Sequence, residues 1–213
     1  MLTIMQRTVI VIIVNMVTII EEEDIFMEYS KALRELYLMQ QTYATLFSIT
    51  NKLQIQGDNY FEKLTSRQYM IMIAITHLPE DETTLVNIAK KLKTSKQSAQ
   101  KLIVNLENKG YLITKPSKRD KRAINVEITE LGKKIMMECG EKAVCLMADI
   151  FNEFTTEELE VLWNLLKRLY GTNNEEEQVG FEEDVNYKFE DLEGFQEAQT
   201  RALDSFVLRR KRF

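Results

Sequence analysis

Positively charged side chains are concentrated in one stretch of a chain that is acidic overall. Residues 86–129 contain eleven Lys or Arg and three acids, a net charge of +8, whereas the 213-residue chain has a formal net charge of −5. Five of these cations fall between Lys115 and Arg122, where Asp120 is the only acid. A basic module within an acidic protein confines the attraction for polyanions to one surface. We expect such a surface to bind DNA with strong salt dependence, because each neutralised phosphate releases counterions.

Residues that could support catalysis are sparse. His77 is the single histidine, the seven glycines form no phosphate-binding loop, and no group of Cys, His and Asp has metal-ligand spacing. We therefore predict that the protein is not an enzyme and needs no cofactor or metal. Cys139 and Cys145 lie six apart in an apparently helical apolar run, which suits neither a metal site nor a disulfide framework. Two buried thiols in a reducing cytosol are expected; a thiol-based sensor would need one of them exposed and low in pKa.

Apolar spacing and capping signals predict the elements that carry the basic residues. Residues 30–49 have apolar side chains three and four apart, which predicts a long amphipathic helix. Thr-x-x-Gln or Thr-x-x-Glu boxes at Thr65, Thr94 and Thr155 mark three further helix starts. Residues 84–92 form a short amphipathic helix, and the next helix starts by Ser95, so a very tight turn joins them. This is a helix-turn-helix pattern.

The second helix of this pair and the segment after it are typical of a DNA reader. Ala99, Ile103 and Leu106 belong to its single apolar stripe, while polar and cationic side chains occupy the other side. A solvated helix face has the same composition, so this helix alone leaves both interpretations open. Gly110 is expected to end it in a left-handed cap, and two extended runs, 111–114 and 123–128, enclose a largely cationic turn. A hairpin that directly follows a helix-turn-helix is a wing.

The run from Thr65 to Tyr170 resembles the MarR family of winged-helix bacterial transcription regulators. The resemblance is carried by Asp120-Lys-Arg122 followed by Ile128-Thr129-Glu-Leu-Gly132, with Ile128 where Leu is usual, and by Leu106-Glu-Asn-Lys-Gly-Tyr-Leu112. It implies a mainly α fold with a small β-hairpin wing, in which a winged helix-turn-helix DNA-binding domain is flanked by long dimerisation helices. It also implies a homodimer that binds an inverted-repeat operator in double-stranded DNA and represses transcription until a small-molecule effector releases it. The alternative is a winged-helix protein-interaction module with little specific DNA binding.

Roles in DNA binding follow from residue type. Gln can pair with base edges, and Lys and Ser can hold phosphates. We expect six residues of the second helix in or beside the major groove: Ser95, Lys96, Gln97, Ser98, Gln100 and Lys101. Four wing cations would reach the flanking backbone or minor groove: Lys118, Arg119, Lys121 and Arg122. Asp120 would repel phosphate, so we expect it to pair with Arg122 and fix the shape of the wing.

The resemblance further assigns the long first helix and the two closing helices to the dimer interface. An effector pocket and core packing are both open explanations for seven Met and Tyr residues: Tyr37, Met39, Tyr43, Tyr69, Met70, Met72 and Met147.

Both ends of the chain lie outside the resemblance. Residues 1–26 form an apolar extension, of which the 13-residue run from Thr8 to Ile20 is shorter than the ~20 residues that span a bilayer. A start at Met27 and a weak membrane anchor remain alternatives, but we expect no membrane partner and a cytoplasmic location. Residues 27–170 form the winged-helix domain with its dimerisation helices, and residues 171–213 an acidic linker and tail. Residues 192–208 are expected to form an amphipathic helix, and the cations from Arg209 onward to be solvated.

Overall fold

The computed structural model describes residues 23–117, 124–171, 181 and 193–210, with side chains from residue 29 onward. Its elements are α1 (Glu23–Tyr60), α2 (Ser66–Thr76), a 3₁₀ turn (Glu80–Glu82), α3 (Leu85–Lys91), α4 (Lys96–Asn108), β1 (Leu112–Pro116), β2 (Ile124–Ile128), α5 (Glu130–Ile150), α6 (Thr156–Tyr170) and α7 (Phe195–Arg210). The chain divides into two compact units, residues 1–52 and 53–213. The predicted mainly α fold with one small hairpin is confirmed.

The part of α1 within the first unit exposes a long apolar surface. The predicted helix over residues 30–49 is confirmed, and α1 extends beyond it at both ends. Tyr43 and Phe47 pack one turn apart with ring centroids at 5.0 Å, yet Tyr43 remains 66% exposed. Leu36 and Tyr37 are exposed as well. These side chains do not contribute to the core of the chain.

The core of the second unit lies among α2, α3, α4, α5 and the hairpin. Its fully buried large side chains are Ile71, Met72, Ile75, Ile88, Ile103 and Leu106. The predicted capping boxes at Thr65 and Thr155 are both present, and each satisfies free amides at its helix start. The hairpin is antiparallel, with Leu112 opposite Ile128 and Pro116 opposite Ile124. Leu112 and Ile128 are buried, so the hairpin is fixed to the core at its base.

The C-terminal helix α7 packs along α5. Ala198 and Ala202 are buried against it, and Arg201 holds Glu141 through two hydrogen bonds of 2.7 and 3.2 Å. Arg209 donates from Nη1 to both carboxylate oxygens of Asp149. Both ion pairs join residues sixty apart, so the two helices run parallel.

The expectation of a solvated terminus is therefore wrong for Arg209 and Arg210. The guanidinium of Arg210 donates to the carbonyl oxygens of Phe151 and Phe154, beyond the last turn of α5. Carbonyls at a helix C-terminus lack intrahelical partners, so a nearby cation is favourable there.

No helix within the described ranges has the length and apolar character needed to cross a membrane. The apolar run from Thr8 to Ile20 lies outside those ranges.

Candidate nucleic-acid interface

A tight turn sets α3 and α4 of the helix-turn-helix against each other. Lys93 adopts a left-handed conformation with φ of 48°, which reverses the chain directly after α3. The Thr94 amide then donates to the Ala89 carbonyl at 3.0 Å and closes the turn. Ser95, whose backbone is extended, follows the turn and directly precedes α4.

The capping box predicted at Thr94 is wrong by one residue. Ser95 is the N-cap of α4, and its hydroxyl oxygen accepts from the Ser98 amide at 3.1 Å. The Thr94 amide is already bonded back to α3, so Thr94 completes the turn rather than starting the helix. The predicted start of the helix by Ser95 is otherwise correct.

One side of α4 is buried and the other is polar and exposed. Ala99, Ile103 and Leu106 are at most 2% exposed and anchor the helix in the core. All six residues proposed to lie in or beside the major groove are exposed: Ser95, Lys96, Gln97, Ser98, Gln100 and Lys101. An exposed, polar and cationic surface over the first two turns of a helix has the composition that major-groove contact requires.

Polar contacts hold the C-terminal half of α4. The Gln68 side chain, which is buried at the start of α2, donates from Nε2 to Asn105 Oδ1 at 2.6 Å. Lys109, the C-cap of α4, donates from Nζ to the Lys63 carbonyl at 3.0 Å and to Gln68 Oε1 at 3.1 Å. The sequence signalled Gln68 only as part of a capping box, and this link to α4 was missed.

A left-handed glycine ends α4, as predicted. Gly110 has φ of 74°, and the Tyr111 amide donates to the Leu106 carbonyl at 2.9 Å. The chain turns directly into β1, so the wing begins where α4 ends.

Strand β2 of the wing is fixed to the turn that precedes α3. The Val126 amide donates to the Thr83 carbonyl at 2.9 Å, and Asn125 forms a single bridge with Thr84. Across the hairpin, the Lys115 ammonium group on β1 pairs with the Glu127 carboxylate on β2. The tip residues for which DNA contact was predicted, together with the proposed wing support, lie outside the described residues: Lys118, Arg119, Asp120, Lys121 and Arg122.

Other candidate chemistry receives less support from the described residues. Cys139 is buried, and burial raises the pKa of its thiol to about 11, which opposes thiolate chemistry at neutral pH. Cys145 is half-buried rather than buried as expected. Among the described side chains, no three His, Cys, Asp or Glu residues converge as a metal site.

A cavity of 440 Å³ lies among the end of α1, α5 and α7. It is lined by Asn59, Tyr60, Glu62, Glu141, Lys142, Cys145, Arg201, Ala202, Ser205 and Arg209. None of the seven Met and Tyr residues considered for an effector pocket is among them.

Tyr60 donates to Asp149, and this bond raises the pKa of the Tyr60 hydroxyl. Met72 is fully buried and Tyr69 packs on Phe61, so core packing explains these two.

Comparisons with known proteins agree with this geometry. Residues 63–123 match the model of the MarR family. The HTH-type transcriptional regulator SarZ of Staphylococcus aureus (strain USA300) is 27% identical over 127 residues, which cover 58% of this chain and 81% of SarZ. A mutant MarR from E. coli complexed with operator DNA superimposes with a TM-score of 0.53 at 21% identity, over 59% of this chain and 91% of that one. The PcaV transcriptional regulator from Streptomyces coelicolor, in complex with its natural ligand, gives a TM-score of 0.55 at 14% identity. The match covers 61% of this chain and 92% of the PcaV chain. The predicted winged-helix fold is confirmed.

Proposed function

We propose that this chain represses transcription by binding an inverted-repeat operator as a homodimer. The chain carries a MarR family winged-helix domain and is a transcription regulator of that family. The observation that carries the proposal is the exposed polar surface over the first turns of α4, set opposite a fully buried apolar stripe. A helix held in this way presents side chains to the major groove without exposing its core. The operator-bound MarR has the same fold.

Contacts with phosphate and contacts with bases should be divided among these residues by type. Lys96 and Lys101 would contact phosphates, which give affinity without sequence information. Gln97 and Gln100 would contact base edges, where an amide can pair in a defined geometry. The four wing cations would extend the phosphate contacts beyond the groove, and Asp120 would brace the tip through Arg122.

Homodimer formation is supported by apolar helix surfaces that a single chain leaves uncovered. No residue of α6 is buried, and Val161, Leu165 and Leu169, which follow one another at intervals of four residues, are each more than half exposed. Separately, α1 exposes Tyr37, Tyr43 and other apolar side chains in the first unit. Monomeric proteins rarely expose apolar surfaces of this extent. A two-fold dimer would present two copies of α4 about 34 Å apart, one turn of DNA, and so would recognise an inverted repeat.

Release by a small-molecule effector belongs to the same proposal. Its support is the PcaV structure, which contains that protein's natural ligand. A DNA-binding regulator of this kind would act in the cytoplasm.

The test is selection of DNA by the purified full-length protein from a random pool, followed by titration of the selected DNA and a scrambled copy across salt. We expect an inverted repeat to be enriched and binding to weaken steeply with salt. Transcription in vitro from a promoter that overlaps the selected sequence should fall as protein is added. Loss of sequence preference in an intact dimer would instead support a protein-interaction module.

Substitutions separate the two kinds of contact. Lys101→Ala should weaken binding to both DNAs and lower the salt slope by about 1, whereas Gln97→Ala should cost about 1–3 kcal/mol on the selected DNA and leave the slope unchanged. Arg201→Ala is the matched control, because it removes one exposed positive charge from α7. Equal effects of Lys101→Ala and Arg201→Ala would contradict the assignment of α4 to the interface.

A further inference from the structure

We propose that Gln68 is a positioning residue, which sets how sharply α4 discriminates between DNA sequences while touching no DNA itself. The inference rests on the proposed function, because the proposed function assigns the contacts with bases to α4. Gln68 belongs to α2, is 6% exposed, and bonds to α4 through Asn105 and to its C-cap through Lys109.

Both polar atoms of the Gln68 side-chain amide form hydrogen bonds. Oε1 accepts from the Thr65 amide at 3.1 Å and from Lys109 Nζ at 3.1 Å, while Nε2 donates to Asn105 Oδ1 at 2.6 Å. Its own backbone amide donates to the Thr65 hydroxyl at 3.2 Å, which completes the capping box. A side chain tied at both ends in this way is fixed in orientation, so the positions of Asn105 and Lys109 relative to α2 are fixed as well.

Apolar packing alone would not fix α4 as closely. Ala99, Ile103 and Leu106 hold the helix in the core, but apolar burial is non-directional and tolerates small rotations and shifts of a helix. Hydrogen bonds depend on direction and distance. Discrimination between bases requires donor and acceptor groups to be held within about 0.5 Å. The polar link at Gln68 supplies the directional restraint that the apolar stripe lacks.

The first arm of the test needs no DNA. Hydrogen exchange is measured on the full-length protein and on Gln68→Met, which keeps the length of the side chain and removes its polar atoms. Glu158→Met is the matched control, because Glu158 has the same place in the capping box of α6 but no link to α4. Amides of α4 should lose roughly two- to tenfold more protection in Gln68→Met than in the control, the range expected for one net hydrogen bond. Equal losses in the two variants would overturn the positioning role.

The second arm measures the ratio of affinities for the selected and the scrambled DNA. In Gln68→Met this ratio should fall by roughly two- to tenfold, while the affinity for scrambled DNA and the salt slope stay unchanged, because phosphate contacts carry no sequence information. A purely structural role would lower both affinities together and leave the ratio unchanged, which would overturn the proposal even if α4 exchanges faster.

Two more variants test the route of the effect. Asn105→Ala removes the acceptor on α4 and should lower the ratio of affinities as much as Gln68→Met does. Combining the two substitutions should lower the ratio no further. Gln68→Glu keeps the acceptor for Thr65 and Lys109, and Asn105 can rotate its amide to donate to it, so the ratio should recover to within about twofold of the unmodified protein. Additive losses in the double variant would overturn the coupling. If the unmodified protein selects no sequence, the proposed function fails, and the exchange arm still decides whether Gln68 positions α4.

Discussion

Replacement of Gly132 by alanine should destabilise the protein at the junction between the wing and α5. Gly132 lies in the first turn of α5 beneath the Tyr111 carbonyl, which accepts from the Thr129 amide at 3.1 Å. A Cβ at position 132 would lie 2.2 Å from the Tyr111 oxygen and 2.8 Å from Cγ2 of Ile128. Because both distances are far below van der Waals contact, the strand or the helix must move.

The size of the effect follows from these contacts. Restoring ordinary contact requires the Tyr111 carbonyl to retreat by more than 1 Å, which breaks its hydrogen bond with Thr129 at a cost of about 1 kcal/mol. Overpacking against Ile128 adds about 1–3 kcal/mol. The better helix propensity of alanine offsets about 1 kcal/mol. The free energy of unfolding should therefore fall by about 1–3 kcal/mol, a large part of the 5–15 kcal/mol that is typical of a folded domain.

Gly140 provides a matched control on the same helix. A Cβ there would meet only the Tyr69 hydroxyl, at 3.7 Å, which is ordinary contact. Gly140→Ala should therefore stabilise the protein by about 0.5–1 kcal/mol through helix propensity. Urea unfolding followed by circular dichroism, at one protomer concentration for all variants, gives both values. A Gly132→Ala variant as stable as Gly140→Ala would refute the reasoning.

Three further predictions concern other contacts. Arg209→Ala should lower the free energy of unfolding by about 1 kcal/mol in urea titration, because it removes a partly exposed ion pair with Asp149; no change would mean that α7 does not depend on this pair. Ser95→Ala should cost about 1 kcal/mol by removing the N-cap of α4, and a thermal melt shows it as a lower Tm. Iodoacetamide at pH 8 should label Cys145 in the folded protein and Cys139 only after unfolding. The burial that raises the pKa of Cys139 from 9.0 to about 11 favours its protonated thiol, so this stabilisation is complete below pH 9 and is lost as the pH rises toward 11; a Cys139→Ala variant whose stability has the same pH dependence would contradict this.

Helix starts could be predicted from the sequence wherever the capping residue has no competing bond. The boxes at Thr65 and Thr155 are present as predicted. At Thr94 the same pattern fails, because the backbone amide of that residue bonds to Ala89 and Ser95 is the N-cap instead. The turn that contains Thr94 includes a left-handed backbone at Lys93, and nothing in a lysine signals that conformation.

The contacts of α7 could not be predicted for a different reason. The sequence showed an amphipathic pattern near the C-terminus and a run of cations, which in a frayed end are normally solvated. Their partners, Asp149 and the carbonyls at the end of α5, lie about sixty residues away in the chain. No local pattern reports such a distance, so a charge run at a terminus can be assigned to solvent or to an ion pair only when the packing is known.

The anchors of α4 lie far from the residues that would contact bases. A small tilt of the helix at its anchors therefore produces a larger displacement at those residues. Gln68 holds the helix at Asn105, and the Thr129 hydroxyl donates to the Gly110 carbonyl at 2.7 Å just beyond its end. Gln97 lies eight residues before Asn105, about 12 Å along the helix axis. A tilt of only about 5° at the anchor would move Gln97 by about 1 Å, twice the ~0.5 Å that a specific contact tolerates. Phosphate contacts by flexible lysines would survive such a shift, so loosening these anchors should reduce sequence discrimination well before it reduces total affinity for DNA.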